Sequence, residues 1–189
     1  TDCGRCDERC PAYLAEKPLS PKKLIQSLSR CLGDHIDSEK SGDGIIASYV
    51  RDEAVWSCSD CGACMESCPS HIDHLRSITE LRKGLLSHEK IPAGYAMSLS
   101  NIREKGDPAG TEQNYRAEWF ADLPEIYTLE QKREVDYLYF AGCAVADPAV
   151  RESARDTLTL LVNGGITVGV LGSEERCCGD AALRCGDEP

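Results

Sequence analysis

The sequence has few aromatic residues, few basic residues and no long hydrophobic run. Phe, Trp and Tyr make up 6% of the 189 residues. No apolar stretch approaches the roughly 20 residues that span a bilayer, and no signal-peptide pattern is visible, so we expect no transmembrane segment in these residues. Lys and Arg number 21 against 32 Asp and Glu, which gives a net charge of −11. We expect no nucleic-acid partner, because its phosphates would be repelled.

Cysteine, by contrast, is abundant, with 12 residues in the chain. Residues 58–69 read CSDCGACMESCP, in which Cys58, Cys61, Cys64 and Cys68 precede Pro69. This C-x2-C-x2-C-x3-C-P spacing is the run that holds [4Fe–4S] clusters in bacterial ferredoxins. Two-residue gaps allow one loop to wrap three corners of the cluster, while the fourth ligand comes from elsewhere. The spacing therefore predicts iron–sulfur ligation.

The first residues of the chain contain a shorter copy of the same run. In TDCGRCDERCP, Cys3, Cys6 and Cys10 precede Pro11 and match the second, third and fourth cysteines of the pattern. The first cysteine would fall one residue before Thr1. We therefore interpret the sequence as a piece of a longer chain whose start lacks one ligand.

The resemblance to two-cluster ferredoxins implies how the ligands are shared, since in those proteins the last cysteine of each run binds the other cluster. The first cluster would take Cys3, Cys6 and Cys68, with its fourth ligand before Thr1. The second cluster would take Cys10, Cys58, Cys61 and Cys64.

Two other uses of cysteine fit the sequence less well. C-x2-C pairs also form zinc sites, but zinc needs two pairs rather than three close cysteines and a fourth before proline, twice. A disulfide framework is typical of short secreted chains, whereas thiolates that hold iron must stay reduced. We therefore predict a cytoplasmic location.

The hydrophobic pattern predicts a mainly α protein with a partial α/β domain. Predicted helices span residues 20–33, 52–57, 71–88, 95–105 and 148–165, and predicted strands span residues 135–143 and 166–172. Strand, helix and strand in this order predict a parallel pair with a right-handed crossover. The predicted domains are a ferredoxin-type domain at 1–90, a connector at 91–133 and a partial cysteine-rich domain at 134–189.

Two stretches resemble the α-helical ferredoxin domain of heterodisulfide reductases and related dehydrogenases: TDCGRCDERCPAYLAEKPLSPKKLI and VWSCSDCGACMESCPSHIDHL. Further on, Cys143 and the sequence Cys177-Cys178-Gly179 are similar to the first half of a CCG cysteine-rich motif, whose closing C-x2-C is not in this sequence. The order of the parts resembles the heterodisulfide reductase D-type iron–sulfur oxidoreductases. One branch of these passes electrons from electron-transfer flavoprotein to quinone.

The resemblance implies an electron-transfer module that relays single electrons through two [4Fe–4S] clusters. It implies a redox partner, either a flavoprotein or a module that carries quinone or haem. In the membrane-linked branch, regions before Thr1 would hold the protein at the cytoplasmic face of the membrane.

An alternative is a catalytic thiol–disulfide reductase, because paired CCG motifs in the family can bind a further cluster that cleaves disulfides. That cluster would use Cys143, Cys177 and Cys178, unless this motif is a degenerate copy. A zinc-binding interaction module is the remaining alternative, and whether the chain is itself an enzyme stays open.

Four side chains outside the motifs need separate interpretations. Cys31 is predicted to be a buried structural thiol on the first long helix. Cys185 is either a substitute ligand or an extra thiol. His71 and His74 follow the second run and are predicted to be exposed at the start of a helix.

Overall fold

The computed structural model describes residues 2–35, 48–111, 114–132 and 134–188. The chain divides into two compact units. The first unit contains Thr1–Pro92 and Ala182–Pro189, and the second contains Ala93–Ala181. The sequence domains at 1–90, 91–133 and 134–189 stay a prediction, since a compact unit and a sequence domain are defined differently.

The first unit is built from helices in the residues that the structure describes. They are α1 (Arg5–Glu8), α2 (Pro11–Leu14), α3 (Pro21–His35), α4 (Asp52–Trp56), α5 (Ala63–Glu66) and α6 (His74–Ser87). A last short helix, α10 (Asp180–Arg184), contains the point at which the chain returns to this unit.

Side-chain caps fix the starts of α3 and α6, the two long helices of the first unit. The Ser20 hydroxyl accepts a hydrogen bond from the Lys23 N–H at 3.1 Å, as predicted for a serine before Pro21. The α6 helix begins at His74 rather than at residue 71, because Asp73 is its cap and accepts from the Arg76 N–H at 2.9 Å. The predicted start of α6 was therefore three residues too early.

An apolar core holds the first unit together and extends to the cysteine runs. Its buried members are Cys10, Ala12, Leu19, Leu24, Val50, Val55, Ile78 and Leu81. Because Cys10 belongs to this cluster, the end of the first cysteine run is anchored against α3 and α6 by hydrophobic packing.

In its described residues, the second unit is an α/β unit with three short parallel strands. Its helices are α7 (Ala93–Lys105), α8 (Tyr115–Glu118) and α9 (Pro148–Asn163), and its strands are β1 (Ile126–Thr128), β2 (Tyr137–Tyr139) and β3 (Val168–Val170). The strand order is β1-β3-β2, and both pairings are parallel. The predicted strand–helix–strand unit corresponds to β2, α9 and β3. The sequence pattern missed β1.

The core of the second unit lies between the sheet and the helices. Leu158 of α9 and Val168 of β3 have no exposed surface. Trp119 and Phe120 pack edge to face with centroids 5.5 Å apart and join the same cluster. A side chain in place of Gly169 would be tightly packed, because its Cβ would lie 3.1 Å from the side chains of Leu129 and Val135.

These elements confirm the predicted class, mainly α with a smaller α/β part. Among the described residues, no helix combines the length and the apolar character needed to cross a membrane.

Candidate iron–sulfur sites

The two cysteine runs repeat one backbone turn. Gly4 and Gly62 have φ values of 79° and 76°, in the left-handed region that glycine adopts without steric cost. Each glycine begins a short helix: the Gly4 carbonyl accepts from the N–H of residue 7, and the Gly62 carbonyl accepts from Met65, both at 2.9 Å. The next cysteines, Cys6 and Cys64, are therefore buried at equivalent places in the two runs.

One cavity, the Cys10 cavity, is lined by cysteines from both runs: Cys10, Cys58, Cys61 and Cys64. Its other walls include the apolar side chains of Leu19, Leu24 and Ile78. The cavity is narrow, about 20 Å³, and little of its lining is polar. Thus the last cysteine of the first run lies with three cysteines of the second.

A wider cavity, the Cys3 cavity, is lined by the remaining cysteines of the two runs: Cys3, Cys6 and Cys68. Its volume is about 240 Å³, and its wall also carries Lys22, Ile25 and Gln26 of α3. Here the last cysteine of the second run lies with two cysteines of the first. This exchange of the last cysteines is the one that the resemblance to two-cluster ferredoxins implies.

His74 belongs to the walls of both cavities. Its side chain is only 3% exposed, so the prediction of an exposed histidine was wrong for this residue. The reason is that His74 is the first residue of α6. The Nδ1 of His74 donates to the Ile72 carbonyl at 2.9 Å, and this hydrogen bond holds the ring inward. His71 is exposed, as predicted.

Burial and backbone donors set the thiol acidities in opposite directions. Burial raises the pKa of Cys58 and of Cys64 to about 11, and it raises the pKa of Cys6 as well. In contrast, hydrogen bonds from the Ile72 and Ser70 N–H groups lower the pKa of Cys68. Bound iron would therefore have to offset the cost of charging the buried thiols, whereas Cys68 is already suited to be a thiolate.

The arrangement fits a multi-iron cluster better than a single ion. Among the described residues, no three Cys, His, Asp or Glu side chains come close enough to bind one metal ion together. Instead, four thiols surround the Cys10 cavity and three surround the Cys3 cavity. A [4Fe–4S] cube takes one thiolate at each of four separate irons, so its ligands are spread around a volume.

In the second unit, two cysteines of the CCG motif come together. Cys143 follows β2 and the left-handed Gly142, whose φ is 74°. Burial raises the pKa of Cys143, and the neighbouring Cys177 thiol raises it further. Cys178 is exposed. The structure therefore brings Cys143 next to Cys177, with Cys178 towards solvent.

Buried charges hold the backbone around this thiol pair. Glu175 accepts hydrogen bonds from the N–H groups of Ala141 at 3.2 Å and Gly142 at 2.6 Å, and it pairs with Arg116 at 3.2 Å. The Arg116 guanidinium also donates to the Gly106 carbonyl, which accepts from the Cys177 N–H at 2.8 Å. No spacing in the sequence points to these residues, so sequence reasoning missed them.

The two cysteines outside the motifs are both buried. Cys31 is buried on α3, as predicted. Cys185 belongs to the first unit, where its surroundings include Arg82, Asp60 and Asp187. The pKa of Cys185 is raised, mainly because the thiol is buried.

Comparison with protein-family models identifies two domains in the chain. Residues 1–72 match a 4Fe-4S dicluster domain, and residues 137–189 match a cysteine-rich CCG domain. A dicluster domain carries two [4Fe–4S] clusters, which confirms the predicted cofactors. A CCG domain is of the type associated with a further iron–sulfur cluster.

Several known proteins align with nearly the whole chain. EtfAB:quinone oxidoreductase of Syntrophomonas wolfei is 33% identical over 98% of this chain and 30% of its own length. A probable membrane-anchored ferredoxin of Chromohalobacter salexigens is 33% identical over 98% of this chain and 31% of its own. A component of the dihydromethanophenazine:CoB--CoM heterodisulfide reductase of Methanosarcina mazei is 30% identical over 98% of this chain and 46% of its own length. The chain thus spans less than half the length of these relatives. No solved structure matches it.

Proposed function

Because this chain belongs to the iron–sulfur oxidoreductases that join a 4Fe-4S dicluster domain to a CCG cysteine-rich domain, we propose that it relays single electrons between two [4Fe–4S] clusters. The observation that carries the proposal is the exchange of last cysteines between the two cavities. Bound there, the clusters supply one-electron redox chemistry.

The cavities suggest the ligand sets. In this proposal the second cluster is held by Cys10, Cys58, Cys61 and Cys64. The first cluster is held by Cys3, Cys6 and Cys68, with a fourth ligand from outside these residues. The residues of the chain bind these clusters, exclude water through Leu19, Leu24 and Ile78, and donate N–H groups to the sulfur atoms of Cys58 and Cys68.

His74 supports the idea that the two clusters exchange electrons with each other. It is the buried side chain shared by both cavity walls. Two clusters separated by one ring would be close neighbours in the same core. This proximity is what a relay requires, and it follows from the crossed ligands.

The partners in this proposal come from the relatives. One relative is named as an EtfAB:quinone oxidoreductase and another as a membrane-anchored ferredoxin. We therefore propose that a flavoprotein is the donor and a quinone- or haem-bearing module the acceptor, with the chain in the cytoplasm or on the cytoplasmic side of a membrane.

The experiment that tests the ligand sets uses pairs of substitutions. If the last cysteines are exchanged, Cys10→Ser with Cys58→Ser removes ligands of one cluster only, whereas Cys10→Ser with Cys6→Ser damages both. The anaerobically reconstituted double variants are compared by iron content and by the electron paramagnetic resonance signals of the reduced state. We expect the first pair to lose the iron of one cluster, about half of what the two cavities hold, and the second pair to lose much more.

The reverse order of the two pairs would show that each run binds its own cluster and would overturn the crossed arrangement. Zinc without iron in the wild-type chain would overturn the whole proposal. Cys31→Ser is the matched control, because Cys31 is buried but lines neither cavity, so its iron content should equal that of the wild type.

The adjacent thiols of Cys143 and Cys177 favour a second candidate function, in which the CCG domain binds a further cluster and acts on disulfides. If so, Cys177→Ser removes iron beyond that held by the two cavities. Equal iron contents in Cys177→Ser and the wild type would reduce the second unit to a structural part of the relay.

A further inference from the structure

A buried ion pair lies directly behind the second cysteine run. Arg82 of α6 is 2% exposed and pairs with Asp60, whose side chain is 11% exposed. Asp60 stands between Cys58 and Cys61, in the first two-residue gap of the run. It has a φ of 54°, in the left-handed region that is uncommon for residues other than glycine. The ion pair ties this residue to α6.

Arg82 also binds the backbone on both sides of Cys58. Its Nη2 donates to the Cys58 carbonyl at 2.6 Å and to the Val55 carbonyl at 3.3 Å. The guanidinium lies 5.3 Å from the centre of the Trp56 ring. These contacts join the end of α4 to the start of the run, so a side chain on α6 fixes where the first cysteine of that run lies.

The other half of the pair contacts the sulfur itself. The Asp60 N–H lies 3.4 Å from the Cys58 Sγ, and the Asp60 carboxylate lies 3.6 Å from the same atom. A backbone N–H aimed at a ligand sulfur stabilises charge on that sulfur. Arg82 therefore reaches the sulfur through Asp60, whose backbone and charge it holds in place.

We propose that Arg82 and Asp60 form a positioning pair that sets the reduction potential of the cluster bound by Cys10, Cys58, Cys61 and Cys64. The inference rests on the ligand set proposed above and adds a control on its potential. Reduction adds one negative charge to the cluster, so nearby charges shift its midpoint according to their sign. Paired, the two buried charges nearly cancel. Unpaired, each acts across a poorly screened interior.

The proposal predicts shifts of opposite sign from two single substitutions. Arg82→Gln leaves the Asp60 carboxylate unpaired, so one of the two cluster midpoints should become more negative. Asp60→Asn leaves Arg82 unpaired, so the same midpoint should become more positive. We expect each shift to be about tenfold in the reduction equilibrium, which is about 59 mV for one electron. The double variant should return close to the wild-type midpoint.

The experiment is an anaerobic redox titration of the reconstituted full chain, followed by electron paramagnetic resonance. Arg82→Lys keeps the charge but loses the planar set of donors. It should keep the midpoint and lose its cluster faster in air than the wild type. Lys83→Gln is the matched control, because it removes an equal charge from the next residue of α6. The Lys83 side chain is 50% exposed, so solvent screens its charge. The midpoints of this variant should not move.

Failure of this inference is distinct from failure of the proposed function. If the wild-type chain shows no reducible cluster, the proposed function fails, and with it this inference. If the wild type shows two midpoints but both single variants shift the same one in the same direction, or shift neither, the pair is only structural and this inference alone is overturned.

Discussion

Removing the charge of Glu175 should destabilise the second unit strongly. Glu175 is 4% exposed and accepts from three donors: the Arg116 guanidinium and the N–H groups of Ala141 and Gly142. In Glu175→Gln, one oxygen remains to accept, but the other becomes an NH2 group that faces a donor. The substitution also leaves the Arg116 charge, 1% exposed, without its nearer carboxylate.

The magnitude follows from what is left behind. Breaking a buried ion pair by removing one partner costs about 3–5 kcal/mol. Arg116 keeps its hydrogen bond to the Gly106 carbonyl at 3.1 Å and the more distant Asp107 carboxylate at 3.7 Å. These contacts place the expected loss at the lower end, about 3 kcal/mol of unfolding free energy.

The assay is urea unfolding followed by tryptophan fluorescence. The chain has two tryptophans, and Trp119 lies in the core of the second unit, so a Trp56→Phe background makes the signal specific to that unit. The control is Asp122→Asn, which breaks the ion pair between Asp122 and Arg155. The Asp122 side chain is 73% exposed. This substitution should cost far less, because solvent screens the charges. A loss below about 1 kcal/mol for Glu175→Gln, or one equal to the control, would refute the reasoning.

Three further results are expected. Leu158→Ala empties a site with no exposed surface and should cost about 2–5 kcal/mol in the same urea assay. Gly186→Ala should lower the thermal unfolding temperature more than Gly165→Ala. Both glycines have a φ of 79°, but only a Cβ at 186 would meet another residue, the backbone N of Lys83 at 2.5 Å. Equal effects of the two substitutions would mean that backbone strain alone matters. In the iron-free chain, stability should fall as pH rises through about 9 to 11, because the raised pKa values of Cys58 and Cys64 keep protons on the folded state that the unfolded state releases.

Local patterns were sufficient for the parts of this protein that depend on short spacings. The gaps within each cysteine run were sufficient to predict iron–sulfur clusters, because one loop supplies most of a cluster's ligands. Ser20 before Pro21 marked the start of α3, because a cap acts on the next turn only. The strand, helix and strand around α9 were also recognisable, and their parallel pairing follows because a helix that crosses over between two strands of one sheet brings the chain back in the same direction.

Other features depend on residues far apart in sequence, so no local pattern reveals them. The β1 strand has only three residues, Ile126–Thr128, too few for a period, and it exists because it pairs with Val168–Val170. His74 was expected on the surface because histidines at helix starts are commonly exposed. Its burial depends on the later start of α6 and on the cavity walls that close around it.

The buried arginines show why the cysteine pattern cannot specify a redox site completely. Arg82 and Arg116 are each almost fully buried, and burying a charge costs several kcal/mol even when a carboxylate offsets part of it. An apolar side chain would fill either site at no such cost. It could not, however, donate a hydrogen bond to a backbone carbonyl. Arg82 donates to the carbonyl of Cys58, and Arg116 donates to the carbonyl of Gly106, which accepts from the Cys177 N–H. The cysteine spacing therefore predicts which metal group is bound, whereas buried charges from distant segments hold the loops in place. In our proposal, the pair of Arg82 and Asp60 also sets how easily the bound group is reduced.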